Sequence, residues 1–148
     1  MMYQHKRSTD ASLVHFNQSE NHSTTIAHKI GVAESRFDKL WGMKFTEKIG
    51  KSYALIFPLS QNRTVSLNMV AVPHNLGVIY LQDTKITKLD IMTSWTGESS
   101  GTADTIIEVH PHLIEQLNIG DNLYLQGKHS INSLNKPAGI SPKRIWSN

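Results

Sequence analysis

The stretch "LGVIYLQDTKITKLDIMTSW", residues 76–95, decides the fold class. Leu76 to Gln82 is an almost unbroken apolar run, too short for a stable helix and ended by the polar pair Asp83-Thr84. Beyond that pair, Thr87, Leu89, Ile91, Thr93 and Trp95 fall on alternate positions, the period at which a pleated strand places side chains on one face. Two such runs joined by a two-residue polar turn predict a β-hairpin.

Working outward, the same signals recur. Upstream, "YALIFP" (Tyr53 to Pro58) is a short apolar run between Gly50 and the polar "SQNR", and reads as a buried strand. "TVSLNMVAV" then alternates, with Val65, Leu67, Met69 and Ala71 opposite Ser66 and Asn68, so the two runs predict another hairpin. "TTIAHKIGVA" is a first strand ending at Ala33. In "ESRFDKLWGM", Ser35 and Asp38 have capping-box spacing, Phe37, Leu40 and Trp41 share a helical face, and Gly42 can close the helix. Downstream, "TGESSGTAD" reads as a flexible loop and "TIIEVH" as a strand. "PHLIEQL" is a short helix with Pro111 at its first position, and "GDNLYLQ" is the last strand.

The expectation is a mainly β protein: a compact sandwich or barrel of six to seven short strands with two short helices. A doubly wound α/β sheet is excluded because no helical segment is long enough for a crossover. The chain divides into an N-terminal arm (1–23) expected to be flexible, one β domain (24–127) and an extended basic tail (128–148). A length of 148 residues suits a single core.

Composition narrows the function classes. Fifteen Lys and Arg against twelve Asp and Glu leave a net charge of +3, too little to argue for a nucleic-acid partner. The tail carries Lys128, Lys136, Lys143 and Arg144 without an acid, but these are dispersed and only Trp146 is near to stack, so a solvated tail is the expected reading. The absence of cysteine excludes disulfides, thiol nucleophiles and thiolate metal sites, and fits a cytoplasmic protein. No segment has the length and apolarity of a membrane span or signal-peptide core.

Few residues look like chemistry. Gly97-Glu98-Ser99-Ser100-Gly101 matches G-x-S-x-G, but a nucleophile elbow needs a strand-to-helix turn and this segment leads into a strand. Glu108, His110 and His112 alternate, and on an extended chain could offer oxygen and nitrogen ligands to zinc. Pro111 works against this: with Pro111 opening a helix, His110 becomes the N-cap and His112 turns away. His74, beside Pro73, reads as a surface histidine, and Asp121 in "IGDNL" as turn chemistry. Asp83 and Asp90 have no visible acid–base partner, and no glycine loop is fit to cradle phosphate.

The order of these small motifs resembles the bacterial and archaeal family known as domain of unknown function 192. "VAESRFDKLWGMKFTEKI", with Gly42, Met43 and Phe45, is similar to that family's opening. "YALIFP" is similar to its next strand, and "SLNMVAVPHNLGVIYL" to its Trp-Met-Lys-Asn-Thr segment and the strand after it. "IIEVHPHLIEQLNIGDNL", with Glu108, Gly120 and Asp121, is similar to its close. The likeness runs from about residue 26 to 125. It implies a compact, mainly β fold and no established reaction. The chain departs from the pattern at Asn68, Ala71, Val72 and Gly77, where the family has Trp, Asn, Thr and Asp, and keeps Met69. It is also two residues shorter before Gly120-Asp121.

The expected function is a non-enzymatic module that binds a small ligand or a protein partner, with no catalytic residue, no cofactor and a groove near Asn68, Trp95 and Glu108. The alternative is a metal-dependent enzyme using Glu108, His110 and His112.

Overall fold

The computed structural model describes residues 6–9, 11–33, 49–70 and 72–127. They form a mainly β fold whose element order is β1 (Lys6–Thr9), β2 (Ala11–Asn17), β3 (His22–Ala27), β4 (Lys29–Ala33), β5 (Tyr53–Asn68), β6 (Leu76–Gln82), β7 (Lys85–Met92), β8 (Glu98–Val109), α1 (Pro111–Ile114) and β9 (Asn122–Gly127). The strands join in one sheet of order β1-β4-β5-β8-β6-β7-β9-β2-β3 that does not close on itself.

The hairpin expected at residues 76–95 is present as β6 and β7, with Asp83 at φ 61° in its turn. β6 is buried on both faces, which is why its sequence is a continuous apolar run rather than an alternation. A register shift between Tyr80 and Leu81 pairs Leu81 with Ile86 but Tyr80 with Lys88. That bulge resets the alternation on β7, so Ile86 and Met92 are buried while Ile91 is exposed.

The second expected hairpin is corrected. "YALIFP" and "TVSLN" are two halves of one 16-residue strand, β5, and the expected turn "SQNR" lies within it. β5 pairs with β8 twice: Ala54–Pro58 against Thr105–Val109, and Arg63–Asn68 against Glu98–Ala103. The register shifts between Pro58 and Arg63, so β5 residues 59–62 are taken up against Asp104 alone. The expected loop "TGESSGTAD" is thereby corrected too, since most of it is the first half of β8. Uncharged polar residues that suggest a loop suit this strand because one side of it faces solvent.

The bend creates two cores. One gathers Leu13, Ile30, Val32, Ala54, Ile56, Ile79, Leu81, Ile86, Ile107, Val109, Leu113, Leu123 and Leu125, so the sheet wraps around residues from β2 to β9 and α1. The other lies on the opposite face of β5, β8 and β6 and combines Leu55, Phe57, Val78, Tyr80, Met92 and Ile106 with Val65, Leu67 and Ala103. Because those last three belong to the far half of the β5–β8 ribbon, the ribbon folds back over the sheet as a second layer. Its backbone is tied down by side chains of the hairpin: Lys88 Nζ donates to the Ser100 carbonyl and Gln82 Nε2 to the Thr102 carbonyl.

Within the segment expected as a flexible arm, Lys6–Thr9 and Ala11–Asn17 form β1 and β2. β2 pairs antiparallel with β9 and β3, which brings an early strand against the last described one. "TTIAHKIGVA" is divided at His28 into the end of β3 and all of β4. Among the described residues the nine strands exceed the six to seven expected because β1 and β2 fall in the expected arm and "TTIAHKIGVA" divides in two, while two expected strands merge into β5. The helix expected at "ESRFDKLWGM" and the tail from 128 lie outside the described residues.

Candidate functional site

β8 ends at Val109, and His110 follows with extended backbone, φ −61° and ψ 138°. Pro111 opens α1, and His110 caps it: the His112 backbone N–H donates to His110 Nδ1 at 3.0 Å. His112 is exposed on the first turn, its ring edge-on to that of His110 with centroids 6.2 Å apart. Glu108 is buried at 4 % exposure. It is in register with Leu55 and Val78 on the face of the second core. Among the described residues no three His, Asp or Glu side chains are grouped to hold a metal ion. Glu108, His110 and His112 are not brought together: the proline-initiated helix makes one imidazole a cap and the other a surface residue, while Glu108 stays in the sheet.

Glu108 instead belongs to a polar seam inside the second core. Tyr80, also on that face, donates to or accepts from Ser99 Oγ at 2.7 Å in a buried hydrogen bond between the two layers. Burial pushes the Tyr80 phenol above its ordinary value, the Ser99 bond opposes this, and the negative charges of Asp90 and Glu108 add to the rise. Tyr53 is raised by burial first and by Glu108 second. Phenols that hold their protons suit hydrogen bonding rather than proton abstraction. Ser99, the serine of the G-x-S-x-G match, is thus a strand residue bonded to a tyrosine, with neither elbow nor base.

A groove of about 390 Å³ opens at the end of the sheet where β8 hands over to α1. It is lined by Ile49, Pro73, His74, Asn75, His110 and Pro111. The connection from β5 to β6 supplies one wall, and the β8–α1 junction the other. Gly77 permits this packing, because a Cβ there would stand 2.6 Å from Ile114 Cγ1 of α1. The wall is braced from behind: the Ser94 N–H donates to Asn75 Oδ1 at 2.8 Å and the Trp95 N–H to the Val72 carbonyl at 2.9 Å.

His74, expected at the surface, stands in the groove wall. Its ring is only partly exposed, its Nδ1 lies 3.4 Å from the Asn75 carbonyl, and among the described residues its buried Nε2 meets no hydrogen-bonding group. The three residues expected to form a groove do not line this one. Asn68 is exposed at the end of β5, where its Oδ1 accepts from the Val70 N–H at 3.0 Å. Trp95 stands 58 % exposed on the β7–β8 turn at φ 67°. Only its backbone bond to Val72 ties it to the groove's neighbourhood. Proline on both sides of the groove was the available signal: "VPHN" and "VHPH" each place a histidine against a rigid turn.

With the fold and groove described, comparison with known proteins is informative. Residues 16–126 match the model of the uncharacterized ACR proteins, domain of unknown function 192. The chain belongs to that family. A Sinorhizobium meliloti protein that carries the provisional name of a transcription regulator is similar over 84 % of this chain and 97 % of its own, with a TM-score of 0.66 and 11 % identity. A protein of unknown function from Novosphingobium aromaticivorans is similar over 76 % of this chain and 82 % of its own, with a TM-score of 0.63 and 13 % identity. At those identities the likeness shows the fold. No curated protein matches. Among the described residues no helix is long and apolar enough to cross a membrane.

Proposed function

We propose that this member of the family is a non-enzymatic module that binds a small ligand in the groove between the 73–75 connection and the start of α1. The observation that carries the reading is His74, which lines a groove of a size that small ligands occupy and whose buried Nε2 meets no hydrogen-bonding partner among the described residues. The lining supports binding over catalysis, since it pairs two imidazoles with an amide and apolar rings, and among the described residues that line it none is a serine, lysine or carboxylate. A cytoplasmic setting accords with the lack of cysteine.

The test is a thermal-shift screen of the full chain followed by amide chemical-shift mapping. A ligand of the groove raises the melting temperature by mass action and moves the amides of residues 74–77 and 109–112. A broad panel of sugars, nucleotides, acids and peptides that moves none of these amides removes the reading. A protein partner is the second reading, favoured by the exposure of Val70, Trp95 and Ile91 at 63, 58 and 44 %. It predicts that Trp95→Ala weakens capture of that partner while leaving the groove amides undisturbed.

A further inference from the structure

We infer that two copies of this chain join through β3, whose outer edge pairs with its own counterpart and continues the sheet from one copy into the other. β3 lies at one end of the strand order, and among the described residues only β2 pairs with it. An edge strand presents a row of backbone N–H and C=O groups that another strand can take up, and soluble proteins ordinarily guard such rows with charge, proline or a bulge. The opposite edge has the first of these guards, since β1 is Lys6-Arg7-Ser8-Thr9. β3 is His22-Ser23-Thr24-Thr25-Ile26-Ala27, without Lys, Arg, Asp, Glu or Pro. Its first four residues are exposed, while Ile26 and Ala27 are held in the first core.

Register sets how much of this edge can pair. Thr25 faces Val14 and Ala27 faces Leu13, so Ile26 is an extra residue, and this bulge limits the regular stretch to His22–Thr25. β9 ends at Gly127 opposite Ala11, at the end of the hairpin remote from that stretch. What flanks the stretch suits a second copy. Glu20 stands exposed in the turn before it, and Lys29 exposed at the start of β4 after it. Two antiparallel strands related by a two-fold axis make every contact twice. An axis between Ser23 and Thr24 sets Ser23 of each copy against Thr24 of the other, a hydroxyl pair that favours cross-strand contact. It also carries each Glu20 past Thr25 to the Lys29 end of the other copy, so opposite charges close both ends of the junction. A junction this short makes a weak, reversible dimer.

The experiment follows the ¹⁵N-labelled full chain by sedimentation and amide chemical shifts from about 10 μM to about 1 mM, the range in which a weak interface fills. The expected result is a mass that rises toward two chains, with concentration-dependent shifts at residues 22–25 and none at residues 6–9. Thr24→Lys, an exposed substitution that sets a cation against the edge of the other copy, should weaken pairing at least about tenfold at an unchanged melting temperature. Glu20→Lys and Lys29→Glu should each weaken it roughly threefold, and the two together should restore it, because the reversed charges again oppose each other. A mass of one chain throughout overturns the inference. So does a dimer whose shifts lie elsewhere, as around Trp95, or one that a folded Thr24→Lys chain still forms. Single reversals without effect, or a double reversal that stays weak, overturn the two-fold pairing. Amides of residues 22–25 already slow to exchange at the lowest concentration show that a segment of the same chain holds the edge, and overturn it too.

Discussion

His15 Nε2 lies 2.7 Å from Asp121 Oδ2, with both side chains buried and 106 positions between them in the chain. His15 stands on β2, in register with Leu123 of β9. The Asp121 carboxylate accepts also from the backbone N–H groups of Gln18 and Asn118, at 3.1 and 3.3 Å. Its backbone accepts from Ile86 of β7 at 2.9 Å. One carboxylate thus joins the beginning of the fold to the turn before its last strand. Replacing His15 with Leu keeps the bulk and leaves a buried carboxylate without its side-chain donor, which costs about 3 kcal/mol. Urea unfolding followed by tryptophan fluorescence measures the loss, and a change below about 0.5 kcal/mol contradicts this role.

The same pair gives the protein an acid limit. Burial works to raise the Asp121 carboxyl, but the bond and charge of His15 together with the N–H groups of Gln18 and Asn118 outweigh it and hold the carboxyl below its ordinary value. The unfolded chain then binds the proton more readily than the folded one. The stabilisation is complete above the unfolded-state pKa and disappears as pH falls through the lower folded-state pKa, in the acid range at and below the ordinary carboxylate value. Unfolding free energies of the natural chain and Asp121→Asn should converge across that window. A constant gap shows that Asp121 is not the group responsible.

Gly77 marks a departure from the family pattern, and its place in the structure supplies the reason. A Cβ at this position would meet Ile114 Cγ1 at 2.6 Å and Val109 Cγ2 at 3.2 Å, so α1 seats against β6 only over a glycine. Gly77→Ala should destabilise by about 1–3 kcal/mol and shift the amides around α1. In an Ile114→Ala background, which lacks the clashing Cγ1, the same Gly77→Ala change should cost less; an unchanged cost means that the contact is not the cause.

Trp95 holds φ 67° with most of its ring in water. A non-glycine residue in the left-handed region costs about 1–2 kcal/mol, and little packing offsets it here. Trp95→Gly should therefore stabilise the chain by roughly 0.5–1 kcal/mol. A loss of stability on calorimetry instead means that the indole has a packing role.

Alkaline titration reads the polar seam. The phenols of Tyr53 and Tyr80 are both raised, each by burial first and by negative charge after it. The tyrosinate absorbance near 295 nm should show two late-ionising groups, and Tyr80→Phe should remove one of them. An unchanged late fraction in that variant sinks the assignment. Removing the hydroxyl also leaves Ser99 Oγ without this partner, at a cost of about 1 kcal/mol.

The amino-acid sequence by itself determined the local elements whose reasons are local. The apolar run of β6 and the Asp83 turn specify their hairpin, and Pro111 after His110 specifies the helix start and its cap, because each depends on neighbours within a few residues. The order of small motifs was enough to indicate the family. Tertiary structure decided the rest. Whether "SQNR" turns the chain or merely bends a long strand depends on whether β8 lies alongside to take up both halves of β5, and nothing local records that. β2, expected within a flexible arm, is a strand because β9 and β3 flank it, and Asp121 passes from a turn residue to a buried anchor because His15 arrives from more than a hundred residues away. The groove is of the same kind: His74 and His110 look unrelated in sequence, and only the pairing of β6 with β8 brings their two proline-bounded junctions to one end of the sheet.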